Sequence, residues 1–264
     1  LGGGFIGVDV FFVVSGFLIT GLLWREAAST GTVHLTSFYA ARARRLLPAA
    51  AVVLVTTSVA AAALLAPLQA RNVLGDTIAG ALYLGNYRFA AQGTDYLAAD
   101  IQPSPLQHYW SLGVEEQFYL LWPALILATA WALARTGRGI RSALPYAAVL
   151  LTVAAALLPV LGTALVIGAG CAIPDLGVGR LLSKPAMRAV GRLSYSWYLW
   201  HWPVLLLTPA LFGTELGLAG RLATVVLSLG LAVLTLHLVE NPARFAAALR
   251  ASAWRSLAVG ATAT

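Results

Sequence analysis

The sequence is poor in the residues that hold small secreted or metal-centred proteins together, with one cysteine, Cys171, in 264 residues. That excludes an internal disulfide and a Cys-rich metal site. The histidines His34, His108, His201 and His237 are scattered without His-Glu-x-x-His or comparable ligand spacing, so no structural metal is expected. Charge is scarce as well: 10% of residues are charged, against about 25% in soluble domains. Lys184 is the single lysine among 17 basic residues. The net charge of +7 is carried mostly by short loops, a pattern of membrane orientation by the positive-inside rule and not of nucleic-acid binding. Met187 is the only methionine, and Leu1-Gly2-Gly3-Gly4 lacks the charged head of a signal peptide, so the sequence is expected to begin downstream of an ordinary start.

What the sequence has in abundance is apolar surface, at 59% of residues. Runs over 5–24, 46–66, 120–134, 144–170, 195–212 and 216–238 approach or exceed the roughly 20 residues that cross a bilayer as a helix. The expected fold is therefore all-α, a polytopic transmembrane helix bundle with six spans. Basic clusters set the direction: Arg25, Arg42, Arg44 and Arg45 mark a cytoplasmic loop over 25–45, and Arg135, Arg138 and Arg141 mark another. By alternation, the helix headed by His108 enters from the outer face. Residues 77–89 are too short to cross and read as an interfacial helix. The basic flanks of 144–170 do not fit a single crossing, which points to a stretch missing near residues 150–159 or to a weakly obeyed charge rule.

One polar stretch stands out, His108-Tyr109-Trp110-Ser111-Leu112-Gly113-Val114-Glu115-Glu116-Gln117, at the head of an apolar run. His108, Ser111 and Glu115 fall at i, i+3 and i+7 on one helical face, with Glu116 on the neighbouring stripe. Ionisable groups at such positions are expensive in lipid, so Glu115 is expected to face a polar interior with His108 and Ser111, and Glu116 to lie nearer the surface. The alternative is a headgroup-layer pair among belt aromatics, the reading given also to His201 in Trp200-His201-Trp202-Pro203. In the first run Asp9, Phe12, Gly16 and Thr20 share a face; Gly16 and Thr20 permit close helix approach, and Asp9 is either a site residue or a carboxylate favoured by a helix N-terminus.

Five blocks carry a family resemblance: Gly7-Val8-Asp9-Val10-Phe11-Phe12 through Thr20; Phe38-Tyr39 with Arg42-Ala43-Arg44-Arg45-Leu46-Leu47-Pro48; His108 to Pro123; Gly191-Arg192-Leu193-Ser194-Tyr195 to Pro203; and Val239-Glu240-Asn241-Pro242. In this order they resemble the acyltransferase-3 family of bacterial membrane acyltransferases, which includes O-antigen and peptidoglycan O-acetylases. The resemblance implies transfer of an acyl group, usually acetyl, from acyl-CoA to a hydroxyl of a cell-envelope carbohydrate or lipid-linked glycan, in the cytoplasmic (inner) membrane, with no permanently bound cofactor. Such chemistry needs a base for the hydroxyl and cationic or N–H donors for the thioester. Glu115, His108, Ser111 and Asp9 are the catalytic candidates. Arg42 and Arg45 match the family's Arg-x-x-Arg pair, whose guanidinium forks suit the phosphates of CoA.

The resemblance also implies departures. The family's essential histidine lies on a helix upstream of residue 7, so little activity is expected of these 264 residues alone. Residues 1–245 read as the membrane domain, and 246–264 as a basic tail leading into a possible further membrane helix, as in members fused to an SGNH-type domain, which is not expected within these 264 residues. A degenerate inactive fragment of such an enzyme, or a non-catalytic transport or structural membrane protein, are the alternative readings.

Overall fold

The computed structural model describes residues 14–16, 18–23, 25–26, 33–92, 103–134, 184–214 and 216–263. Among these the elements are helices and turns, without a strand. The helices are α1 (Leu35–Leu64), α2 (Pro67–Ala81), α3 (Gly85–Ala91), α4 (Tyr109–Ala134), α5 (Pro185–Phe212) and α6 (Leu218–Thr235). A π-helical turn, Leu236–Glu240, leads into the short helices α7 (Asn241–Phe245) and α8 (Ala247–Arg250), then α9 (Ala253–Ala263). Asp9, the 144–170 run and the 150–159 region lie outside the described residues.

The chain divides into two compact units, one of residues 1–35 and 117–188, the other of 36–116 and 189–264. In the first, the expected close approach at Gly16 and Thr20 is present. A Cβ on Gly16 would lie 3.6 Å from the Phe118 ring, and Trp122 Nε1 donates to Thr20 Oγ1 at 2.8 Å.

The second unit is built on α1. Ala50, Val53, Leu54, Thr57 and Ala61 recur at three- and four-residue spacing and are buried, and small residues in such a stripe let neighbouring helices approach closely. Leu106, Tyr109 and Leu112, then Leu199, Trp200 and Val204 of α5, complete the core with Ala232 of α6. Two indoles fasten α5 to α6: Trp200 Nε1 donates to Thr235 Oγ1 at 2.8 Å, and Trp197 Nε1 to Ser228 Oγ at 3.1 Å. The outward faces are apolar too, with Val52, Val55 and Val59 on α1 and Leu222, Val226 and Leu234 on α6 all exposed. Helices Leu35–Leu64 and Leu218–Phe245 are long and apolar enough to cross a membrane, and apolar surface on this scale is what lipid covers.

Three expectations are corrected. The basic segment over 25–45 is not a loop to its end, because α1 begins at Leu35 and carries Arg42, Arg44 and Arg45 on its first turns. The run Thr36 to Leu47 contains neither Gly nor Pro, so nothing stops the helix where hydropathy falls. Residues 77–89 do not form one helix: α2 ends at Ala81 and Tyr83 turns the chain with φ 55°, a left-handed conformation uncommon for an aromatic residue. That turn reaches α4 where only glycine fits, since a Cβ on Gly113 would stand 2.9 Å from Tyr83 O and 3.1 Å from Asn86 Oδ1. Finally, α5 starts at Pro185, well before the aromatic stretch at Tyr195.

Candidate functional site

The site begins in the turn that precedes α4. Ser104 Oγ accepts from Leu106 N at 3.2 Å and donates to Asp76 Oδ2 at 2.7 Å. Asp76 is buried, and its other oxygen accepts from Arg88 Nε at 2.6 Å. This ion pair, with the carboxylate buried and the guanidinium one-third exposed, ties α2, α3 and the turn before His108 together.

His108 is 4% exposed. Its Nε2 lies 3.2 Å from the carbonyl oxygen of Leu199; a carbonyl only accepts, so Nε2 carries the proton and Nδ1 the lone pair. The carbonyl is available because its usual helical partner would be the N–H of residue 203, and Pro203 has none. Nδ1 of His108 is buried with no hydrogen-bond partner. Around the ring stand Tyr109, Tyr198 and His201, with centroids at 4.9, 5.4 and 5.5 Å. Ser111 Oγ and Tyr198 Oη are 2.6 Å apart, and Tyr198 Oη donates to His108 O at 2.9 Å. Ser111 Oγ also donates to His108 O at 3.2 Å.

Glu115 and Glu116 follow on α4. The Glu115 side chain is 6% exposed and that of Glu116 24%, the expected order. Both face Arg42, whose Nη2 lies 3.3 Å from Glu116 Oε1 and 3.9 Å from Glu115 Oε1. The next arginine of the basic run on α1 turns to a different element. Arg44 Nη1 donates to Ser256 Oγ of α9 at 2.7 Å, where a Cβ on Gly260 would meet Leu47 Cδ1 at 2.6 Å. Glu240, 1% exposed at the end of the π-helical turn, accepts from Ser196 Oγ at 2.9 Å, with the positive charges of Arg45 and Arg244 around it.

These contacts overturn the placing of the His108 end at the opposite face from the arginines. Tyr109 Oη donates to Ala50 O at 3.2 Å, and Arg42 to Ala50 is eight residues of α1, about 12 Å of helix rise against about 30 Å of hydrocarbon. The imidazole-hydroxyl cluster and the arginine-carboxylate cluster form one polar seam inside an apolar unit. Sequence reading passed over two of its members: His201, taken for a belt residue, and Glu240, quoted in a motif but given no place in the site. The available signal was Pro203, which frees the Leu199 carbonyl that docks His108 beside His201. Among the described residues no group of three or more His, Cys, Asp and Glu could hold a metal ion.

The acyltransferase-domain family Acyl_transf_3 matches residues 2–170, more than half of the chain, and the chain belongs to that family. Among its relatives are the peptidoglycan O-acetyltransferase OatA of Listeria monocytogenes, 40% identical over 125 residues, and the O-acetyltransferase OatA of Staphylococcus aureus, 42% identical over 126 residues. The first alignment covers 47% of this chain and 20% of the relative, the second 48% and 21%. The chain thus aligns with about a fifth of the length of these relatives. No solved structure matches the chain.

Proposed function

We propose that this chain takes part in transferring an acyl group, acetyl in the first instance, from acyl-CoA to a hydroxyl of a cell-envelope carbohydrate, as a multi-pass protein of the bacterial cytoplasmic membrane. The observation that carries this reading is the seam itself: a guanidinium held between two carboxylates on α4, two helical turns from a buried imidazole and a hydroxyl pair. The printed names of the relatives, O-acetyltransferases, point the same way.

Acyl transfer from a thioester needs the donor fixed and its carbonyl polarised while the hydroxyl loses a proton. In this reading Arg42 and Arg45 hold the phosphates of CoA, which guanidinium forks suit. Arg42 has acidic partners inside the protein, Glu115 and Glu116. Donor binding then exchanges one anion for another, and the carboxylates set how tightly the donor is held. His108 and Ser111 lie at the end of the seam where the acceptor enters. An SGNH-type domain, on this or another chain, is a further recipient the reading accommodates.

The test is equilibrium binding of radiolabelled acetyl-CoA to membranes carrying the chain. Arg42→Ala is expected to abolish it, and Arg42→Lys, which keeps the charge without the planar fork, to weaken it. Binding unchanged in both variants would overturn the assignment.

A further inference from the structure

His201 lies on α5 one residue before Trp202 and is half-buried, where His108 is wholly enclosed. Its Nδ1 is 2.6 Å from the carbonyl oxygen of Tyr198. As with His108, an oxygen that only accepts puts the proton on that nitrogen, so the lone pair of His201 resides on Nε2. Two imidazoles 5.5 Å apart are therefore both fixed in tautomer by consecutive carbonyls of one helix, Tyr198 and Leu199. Pro203 frees the Leu199 carbonyl for His108, leaving it without its helical partner. Neither ring makes an ion pair with a carboxylate among the described residues. A ring nitrogen acceptor with its other nitrogen anchored on a backbone carbonyl is the arrangement that takes a proton from a bound hydroxyl.

The rings beside His201 suggest what carries that hydroxyl. The Tyr198 ring lies 5.3 Å away and tilted by 40°, the Trp202 ring 6.4 Å away and tilted by 57°. Trp202 is held by its Nε1, which donates to Ser104 O at 3.0 Å, so its ring is fixed to the turn that Asp76 anchors. Rigid, half-buried aromatic faces next to a hydrogen-bond acceptor match a sugar ring, whose C–H face packs on an aromatic surface while a hydroxyl turns to the nitrogen.

We propose that His201, with Tyr198 and Trp202, forms a carbohydrate-binding subsite in which His201 Nε2 accepts the proton of the hydroxyl to be acylated, and that His108 is a positioning residue packed behind it. The proposal rests on the acyltransferase reading above. In the step, the sugar oxygen forms a bond to the acyl carbonyl carbon and the carbon–sulfur bond of the thioester breaks, its electron pair going to sulfur. The hydroxyl proton passes to His201 Nε2 and is returned to the thiolate, giving ester and free thiol.

The experiment is modification by diethyl pyrocarbonate, read histidine by histidine by mass spectrometry, on the chain in membranes, with and without the N-acetylglucosamine–N-acetylmuramic acid disaccharide. His201 is expected to react, and a saturating amount of disaccharide to slow it about ten-fold or more by occupancy. The exposed His34 and His237 serve as references and are expected to react at the same rate throughout. Reaction of His201 at an undiminished rate, equal protection of all three, or no reaction at His201 without the sugar would each overturn the subsite. Where transfer to the sugar is followed, His201→Gln is expected to lower it about 10²–10⁴-fold with acetyl-CoA binding unchanged; transfer at the unsubstituted rate refutes the base. Acetyl-CoA binding measured on the same membranes separates the two claims. Donor binding without sugar protection sinks the subsite alone, whereas sugar protection without donor binding sinks the acyl-CoA reading.

Discussion

Substituting Glu116 by Gln is expected to tighten acyl-CoA binding, the opposite of what loss of a charged site residue usually does. Arg42 Nη2 lies 3.3 Å from Glu116 Oε1 and 3.9 Å from Glu115 Oε1, so the guanidinium already has anionic company before any phosphate arrives. At about 4 Å two unit charges attract by about 1 kcal/mol in water and about 4 kcal/mol at the effective dielectric of a protein surface. Glu116 is 24% exposed, between these limits. Its charge then opposes phosphate binding by roughly 1–2 kcal/mol, or about 5- to 30-fold in Kd. Glu115 remains beside Arg42 in the Glu116→Gln variant, so the cation is not stranded and the fold is retained. The assay is saturation binding of labelled acetyl-CoA in detergent at low and high salt, where the gain should shrink as salt screens the charges. An unchanged or weaker affinity for Glu116→Gln would refute the reasoning, because it would place the phosphates away from Arg42.

Other substitutions probe the framework. Arg42→Ala removes the cation that faces two carboxylates on one helix and should destabilise the chain by about 3–5 kcal/mol; adding Glu115→Gln should recover part of this, and strict additivity in thermal unfolding would argue against the pairing. Asp76→Ala strips the partner from Arg88 and Ser104 and should cost about 1.5–3 kcal/mol, read by denaturant titration, with Ser104→Ala costing nearer 1 kcal/mol. Gly113→Ala drives a Cβ to 2.9 Å from a backbone oxygen; a loss of about 1–3 kcal/mol is expected, and an unchanged unfolding midpoint would mean that the Tyr83 turn yields.

The polar half of α4 could be read from sequence because its signal is local: His108, Ser111 and Glu115 repeat at helical spacing before an apolar run, and the structure places them in the interior. The stripe Gly16 and Thr20 was legible for the same reason. The partners of the basic run were not. Arg42, Arg44 and Arg45 are neighbours in sequence, yet their partners lie 74 and 212 residues away for Arg42 and Arg44, and positive charge near an apolar run suggests topology before it suggests an internal ion pair. Alternating crossings would put His108 far from Arg42; side-chain contacts between α1 and α4 set its depth instead. His201 was hidden by company. Among Trp200, Trp202 and Tyr198 it looks like a member of an interfacial belt, and only the three-dimensional meeting with His108, through a carbonyl freed by Pro203, marks it as something else.

Arg42 and the carboxylates of α4 are expected to border the place where an acyl-CoA binds, and photocrosslinking with an acyl-CoA that carries a diazirine on its acyl chain, followed by peptide mapping, measures this. Crosslinks are expected to α1 and to residues 108–116 at the head of α4, removed by excess acetyl-CoA and lost in Arg42→Ala. Crosslinks confined to other segments, or insensitive to acetyl-CoA, would contradict it.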